Sequence, residues 1–280
     1  MRMDASSSSR DYEALVLYIQ SAFLCCLSSV APQERGSGSS LLLRALASSK
    51  ADGSQGSESA LKQFIASARN EDGRSLLHMA AAADDEESLK LLLDCGVDPL
   101  ATDECGFSAL HVGCSVGSSG AVSLLLAAVS NAKQKAQFTS MVTESGGSPL
   151  LYAASKGHLD VVELLLHHGV DINTKGYGNH TAISRAVSAG RKPIVTRLLA
   201  VPGIDLAVKE TGSGDNLLHL AVSAGRADIY WEVAQMAPQL ENEKNAAGLT
   251  PVGGATHEFM KALEKEIKQT RTVQDACEDV

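Results

Sequence analysis

Apolar positions near the start of the chain recur at three- and four-residue steps: Leu15, Ile19, Ala22, Phe23, Cys26 and Val30 form one stripe of a helix. Such a helix suits the open end of a larger stack. Two Gly/Ser-rich stretches, Gln33 to Ser40 and Ser48 to Ser59, then set apart two short helical segments, Leu41 to Ala47 and Ala60 to Ala68. Leu42, Leu43, Leu46, Leu61, Phe64 and Ile65 are the residues these segments would bury as a degenerate first repeat.

From Asp72 onward the pattern echoes itself. Gly73-Arg-Ser-Leu-Leu-His-Met-Ala80 is answered by Gly106-Phe-Ser-Ala-Leu-His-Val-Gly113. The frame returns at Gly146 to Ala153, Thr181 to Ala186, Asn216 to Ala221 and Thr250 to Ala255. His78, His111, Leu151, Ser184, His219 and Gly253 hold equivalent places, at successive separations of 33, 40, 33, 35 and 34 residues. A period near 33 with helical content marks a stack of supersecondary units.

Each unit makes physical sense. A Ser or Thr opens the first helix as an N-cap, and Pro149 suits the first helical position. Alanines at 80, 81, 153, 154, 186 and 221 let the paired helix approach. Gly157, Gly190 and Gly225 make the turn between helices, and Gly96 and Gly169 end the second helix. No unit buries both of its faces alone, so stability comes from stacking neighbours.

These segments resemble the ankyrin repeat. The third unit carries the resemblance most fully, in Ser148-Pro-Leu-Leu-Tyr-Ala-Ala154, Gly157-His158, Val161-Val162, Leu164-Leu165-Leu166 and Gly169-Val-Asp-Ile-Asn173. The resemblance covers about residues 70 to 265. It implies an all-α fold, an ankyrin-repeat solenoid of stacked helix-turn-helix units joined by β-hairpin loops.

The expected organisation is a capping region with Gly/Ser-rich linkers at 1–69 and a repeat domain at 70–268. The domain holds six units at 72–104, 105–144, 145–177, 178–212, 213–246 and 247–268, and a tail occupies 269–280. Val129 stands where the second unit should have its helix-ending glycine, and seven extra residues precede Gly146. The outer helix is therefore expected to run on toward Lys135, followed by a longer surface connection. Thr250 to Ala255 passes almost directly into Glu258 to Leu263 and the charged run Glu264 to Lys268, which reads as a C-terminal cap.

Composition narrows the function. Aromatic content of 4% requires a core of Leu, Val and Ala, and a formal charge of −9 without a basic stripe argues against nucleic acid. A basic or neutral protein is the expected partner, with the free chain a monomer. The six cysteines, at 25, 26, 95, 105, 114 and 277, form no CxxC pair and no metal-ligand spacing with histidine. Reduced thiols fit a cytoplasmic location, or a nuclear one. Asp4, Asp11 and Glu13 spoil the basic lead-in that a signal peptide at Leu15 to Leu27 would need, and the run is short for a membrane span.

No motif places a nucleophile, a phosphate loop or a carboxylate pair, so neither enzyme activity nor a cofactor nor a metal is expected. The resemblance implies that His78, His111 and His219 are buried and hydrogen-bonded within and between repeats. His167 and His168 end an outer helix, and Asp84 to Glu87 precede one, where each sign of charge complements the helix dipole. Cys25-Cys26 as a palmitate acceptor and Glu278-Asp279-Val280 as a PDZ-type carboxylate are minor signals.

The resemblance also implies which positions contact a partner: the hairpin tips, the residue before the tetrapeptide and the pair after the alanines. Here these are Glu104, Cys105 and Phe107, then Gly147, Ser155 and Lys156, then Tyr177, His180, Ser188 and Ala189. Asp215, Ser223, Ala224, Ala246, Ala247 and Leu249 continue the series. Phe107 and Tyr177 are the natural anchors, unless either ring folds back on its own hairpin. Trp231, expected to face outward on an outer helix, marks a second site or a local packing patch. The expected function is a non-enzymatic protein-interaction module or adaptor working through the concave face. The alternative is a membrane-associated adaptor anchored by Leu15 to Leu27.

Overall fold

The computed structural model describes residues 62, 63 and 65–278. The expected helix at Leu15 to Leu27, the segment Leu41 to Ala47, the cysteine pair Cys25-Cys26 and the last residues Asp279 and Val280 lie outside them. Residues 62, 63 and 65–67 are helical, and Ile65 is buried as expected. The chain forms two compact units: residues up to Gly113 with Ser118–Ala132, and Cys114–Gly117 with the residues from Lys133 onward.

In the first unit, α1 (Leu76–Ala83) begins where Ser75, extended at φ −79° and ψ 166°, closes a capping box with His78. It ends at Asp84, whose left-handed backbone donates its N–H to Ala80 and Ala81. The next helix, α2 (Glu86–Asp94), starts on Asp85, whose carboxylate accepts from Ser88 N at 3.0 Å, and carries Glu86 and Glu87 in its first turn. The acidic run thus stands at a helix N-terminus, except that Asp84 reaches Ala121 N at 3.3 Å instead. Behind these lie α3 (Ala109–Val116) and α4 (Ser119–Ala128), and α2 packs on both α1 and α4. Leu77, Leu89, Leu92, Leu110, Val122, Leu125 and Leu126 fill the core.

His78 ties one hairpin to the next helix start. The Ser75 backbone N–H donates to Nδ1 at 3.1 Å, which leaves Nε2–H to donate to the Phe107 carbonyl at 2.8 Å. In the second unit His219 Nε2 reaches the Leu249 carbonyl in the same way, at 2.9 Å.

The insertion departs from expectation. The outer helix stops at Ala128, with Val129 extended (φ −93°, ψ 90°) and buried. A separate helix, α5 (Ala132–Ser140), follows. Its Phe138 is fully buried, so the segment is an anchored helix and not an open surface loop. The cause is apolar: burying Phe138 anchors the segment.

The second unit continues with α6 (Pro149–Lys156), α7 (Leu159–His167), α8 (Ala182–Ser188) and α9 (Lys192–Leu199). It closes with α10 (Leu217–Ser223), α11 (Ala227–Met236) and α12 (His257–Glu278). Inner helices α6, α8 and α10 pack in succession, and so do outer helices α7, α9 and α11. Ala153, Ala154, Ala186 and Ala221 are wholly buried between them. Gly157 ends α6 at φ +98°, a conformation that a side chain would strain. Arginines staple successive turns: Arg191 Nε donates to Ser155 O at 3.2 Å, and Arg226 Nη1 donates to Gly190 O. Asp228 holds Arg226 in a bidentate pair at 2.9 and 2.7 Å, which lowers the carboxyl's pKa.

The cap also differs. Instead of a short helix and a tail from residue 269, one helix runs from His257 to Glu278. Phe259 meets Tyr230 edge-on at 5.7 Å, and Leu263 is buried. Burial, with Glu241 beside it, pushes the Tyr230 phenol up to about 12. The Trp231 indole N–H donates to Thr270 Oγ1 at 3.0 Å. Trp231 is therefore half-buried under α12 and is a packing residue, not an open second site. The helical repeat pattern alone turns Trp231 outward, and the length of α12 is what covers it.

Two outcomes follow from these contacts. Trp231 is the chain's one tryptophan, so truncation after Glu264 should red-shift its emission and raise iodide quenching while the far-UV helix signal of the remainder persists. Burial lowers the pKa of His78 from 6.5, so the unfolded chain binds the proton more readily. Its contribution is complete above about pH 6.5 and declines as pH falls below that, by at most about 1.4 kcal/mol per unit. Urea melts at pH 7.5 and 5.5 should show a smaller acid loss for His78→Gln than for the parent.

Candidate functional site

The hairpin tips are shaped by single side-chain oxygens that accept two backbone N–H groups. Asp103 Oδ1 accepts from Cys105 at 3.0 Å and Phe107 at 2.8 Å. Asn70 Oδ1 does the same for Asp72 and Arg74, and Asn245 Oδ1 for Ala247 and Leu249. Thr143 Oγ1 accepts from Gly147 at 3.1 Å. All four stand three residues before a left-handed glycine, at 73, 106, 146 and 248. That spacing is present in the sequence as an Asn, Asp or Thr three residues before each of these glycines. Successive tips also bond to one another: Glu104 N to Asp72 O at 3.3 Å, Thr211 N to Gly178 O at 2.9 Å and Ala246 N to Ser213 O at 2.8 Å.

The expected contact positions divide between the two units. In the first, Glu104 and Cys105 are exposed at the tip. Phe107 is half-buried and sets its ring edge against His111, with centroids 6.0 Å apart. The ring has folded back on its own repeat and is not a free anchor. In the second unit Lys156, Ser188, Ala189, Ser223, Ala246, Ala247 and Leu249 are exposed, and Ser155, His180, Asp215 and Ala224 are half-buried. Tyr177 retains 81% of its surface.

Gly147 is buried, contrary to expectation. Its Cα lies under the Tyr152 ring, where an added Cβ would stand 2.4 Å from a ring carbon. Tyr152 takes the surface position in its place, its hydroxyl 3.0 Å from both Thr143 Oγ1 and Ser145 Oγ.

Five of the expected residues, Gly147, Ser155, Lys156, Tyr177 and His180, line one cavity of about 260 Å³. Ser145, Gly146, Leu151, Tyr152 and Arg185 complete its wall. Backbone forms one side, where Gly146 packs against Gly176 and Tyr177 too closely for any Cβ. No Asp or Glu lines it. His180 Nδ1 stands 3.0 Å from Glu210 Oε1, close enough for an ion pair, but the direction is wrong for a hydrogen bond. Burial and the Arg185 charge lower the His180 pKa, against the opposing pull of Glu210, and favour the neutral ring.

A larger groove of about 720 Å³ lies at the outer-helix ends, lined in part by Leu166, Val170, Ile172, Arg197 and Pro202. It contains none of the expected positions, and its Arg197 is already paired with Glu163 at 2.6 Å. His168 does not reinforce the α7 dipole as expected: burial, Lys135 and His167 lower its pKa. Burial raises the Cys114 thiol well above its usual range, and Cys95 is buried as well.

Gly146 carries φ +76° and an added Cβ would lie 2.1 Å from Tyr177 N. Gly146→Ala should cost on the order of 1–3 kcal/mol from backbone strain alone, seen as a lower urea midpoint. Tyr177 should lose its position in the same variant.

A sequence profile described as ankyrin repeats in three copies matches residues 46–138, 77–176 and 127–210, more than half of the chain. The mouse B-cell lymphoma 3 protein homolog is 32% identical over 161 residues, covering 56% of this chain and 34% of that protein. A rice protein named probable E3 ubiquitin-protein ligase XBOS33 is 40% identical over 78 residues, 28% of this chain and 15% of its own length. An L-asparaginase of Dirofilaria immitis is 33% identical over 150 residues, 44% of this chain and 25% of that protein. The chain spans about a third or less of each. With capped inner helices, buried linking histidines and stacked hairpin tips in place, the chain belongs to the ankyrin-repeat family.

Proposed function

We propose that the chain is a non-enzymatic adaptor that binds a partner protein through the inner-helix and hairpin-tip face of its second unit. One observation carries the reading: a highly exposed tyrosine, Tyr177, stands at the mouth of a cavity lined by five positions where such repeats vary. Exposed aromatics beside a pocket commonly dominate interface energy. The relatives named as a ligase and an asparaginase match this chain over 15% and 25% of their lengths, and those activities are those whole proteins' own. A cytoplasmic setting suits the free thiols at Cys105 and Cys114. Among the described residues no helix is long and apolar enough to cross a membrane. The membrane-anchored alternative rests on Leu15 to Leu27, outside those residues.

The test is affinity capture from cell extract by wild type, Tyr177→Ala and Trp231→Phe in parallel. The reading expects Tyr177→Ala to lose at least one partner, with an affinity drop of tenfold or more (about 1.4 kcal/mol), and Trp231→Phe to keep it. An unchanged partner set for Tyr177→Ala sinks it.

A further inference from the structure

The cavity beside Tyr177 has a charge opposite to that of the chain as a whole. The protein carries a formal −9, yet Lys156 and Arg185 line the cavity and no carboxylate does. Neither cation forms an ion pair with a described residue, whereas Arg197, Arg226, Lys175, Lys192 and Lys209 in the same unit all do. Nε of Arg185 is, in addition, buried and without a hydrogen-bond partner. A desolvated guanidinium N–H left unmade is costly, more so than a neutral donor. Arg185 thus has neither a carboxylate partner nor an acceptor for its Nε among the described residues, and its guanidinium lines the cavity.

We infer that this cavity receives an acidic side chain, Asp or Glu, of the partner protein, with Arg185 as the fork that holds the carboxylate and Lys156 as the second cation. The inference rests on the proposed use of this face and adds the chemistry of the group it takes. Guanidinium matches a carboxylate through two parallel N–H donors. The Ser155 hydroxyl supplies a neutral donor on the same wall. The exposed Tyr177 ring then covers the methylene stem of the bound side chain. Glu210, beside His180, is the nearest described negative charge to that ring, and it does not line the cavity. Its place sets a limit on the ligand: one carboxylate fits two cations, and a dianion gains nothing from a neutral His180. Overall charge pointed to a basic or neutral partner, and the local field points the other way, because fields at contact distance outweigh a screened net charge.

The probe is N-acetylglutamate amide, titrated into the 15N-labelled chain and followed at the Arg Nε–H signals and the backbone amides of Gly147 and Tyr177. Saturable shifts at Arg185 Nε–H, with a Kd on the order of millimolar, are expected. N-acetylglutamine amide, equal in shape and uncharged, should leave these signals in place. Lys156→Gln should weaken binding several-fold, and Arg185→Gln should abolish the shifts at Tyr177 while the rest of the spectrum is retained. Lys156→Glu, an exposed change, should abolish them as well and covers the case in which Arg185→Gln does not fold. Equal shifts with the glutamine analogue, tighter binding of inorganic phosphate, or no saturable shift overturns the inference. If Tyr177→Ala loses its partner while the glutamate analogue does not bind, the face is right and the acidic group is wrong. Binding of the analogue with no partner lost leaves the cavity chemistry standing and removes the adaptor reading.

Discussion

A stack of short helices buries the ends of its helices along with their sides, and every buried N–H and C=O must then find a partner. The inner helices answer this with a cap on one side and a reach to the next hairpin on the other. In α1 His78, at the third helical position, does both, accepting at Nδ1 from its own cap residue and donating from Nε2 to the Phe107 carbonyl. In α10 His219 sets Nδ1 2.7 Å from the cap residue's Asn216 Oδ1 and Nε2 2.9 Å from the Leu249 carbonyl. Where Ser184 replaces histidine, the capping box with Thr181 closes locally and the side chain does not reach the next hairpin. The arginine staples from Arg191 and Arg226 then link neighbouring turns. Stability in such a stack lives in nearest-neighbour contacts, so these small polar links fix the spacing on which the apolar packing depends.

The same constraint builds the recognition face. Tips are held by one oxygen accepting two amides, and the tips stack by amide-to-carbonyl bonds. With the backbone so occupied, the side chains beyond it are free to differ. Gly146 and Gly176 bring two tips into backbone contact, and that closeness leaves the hollow between Tyr152 and Tyr177.

Charge illustrates how far composition can be followed. A net −9 describes the whole surface at long range, where salt screens it. Pairing decides the local field: Lys175, Lys192, Arg197, Lys209 and Arg226 are bound to the chain's own carboxylates, and Lys156 and Arg185 are not. Histidines behave in the same local way. His168 ends a helix, where a positive charge is favoured, but the Lys135 charge and burial outweigh that and favour the neutral ring.

The sequence by itself determined the repeat, the capped inner helices, the buried alanines and the places of the linking histidines. All of these follow from periodicity and from backbone needs that are local to a few residues. It also placed Tyr177, Lys156, Ser155 and His180 among the contact positions through family resemblance, and one cavity gathers them. Only the tertiary structure decided which rings are free. Phe107 turned onto His111, Gly147 went under Tyr152, and Trp231 was covered by a helix longer than its pattern announced. The insertion became a helix because Phe138 found a buried place. These outcomes depend on neighbours distant in the chain, and the free energy of burying a ring is set by what lies across from it. Arg185 belongs with them: that its Nε lacks an acceptor is a fact about everything around it.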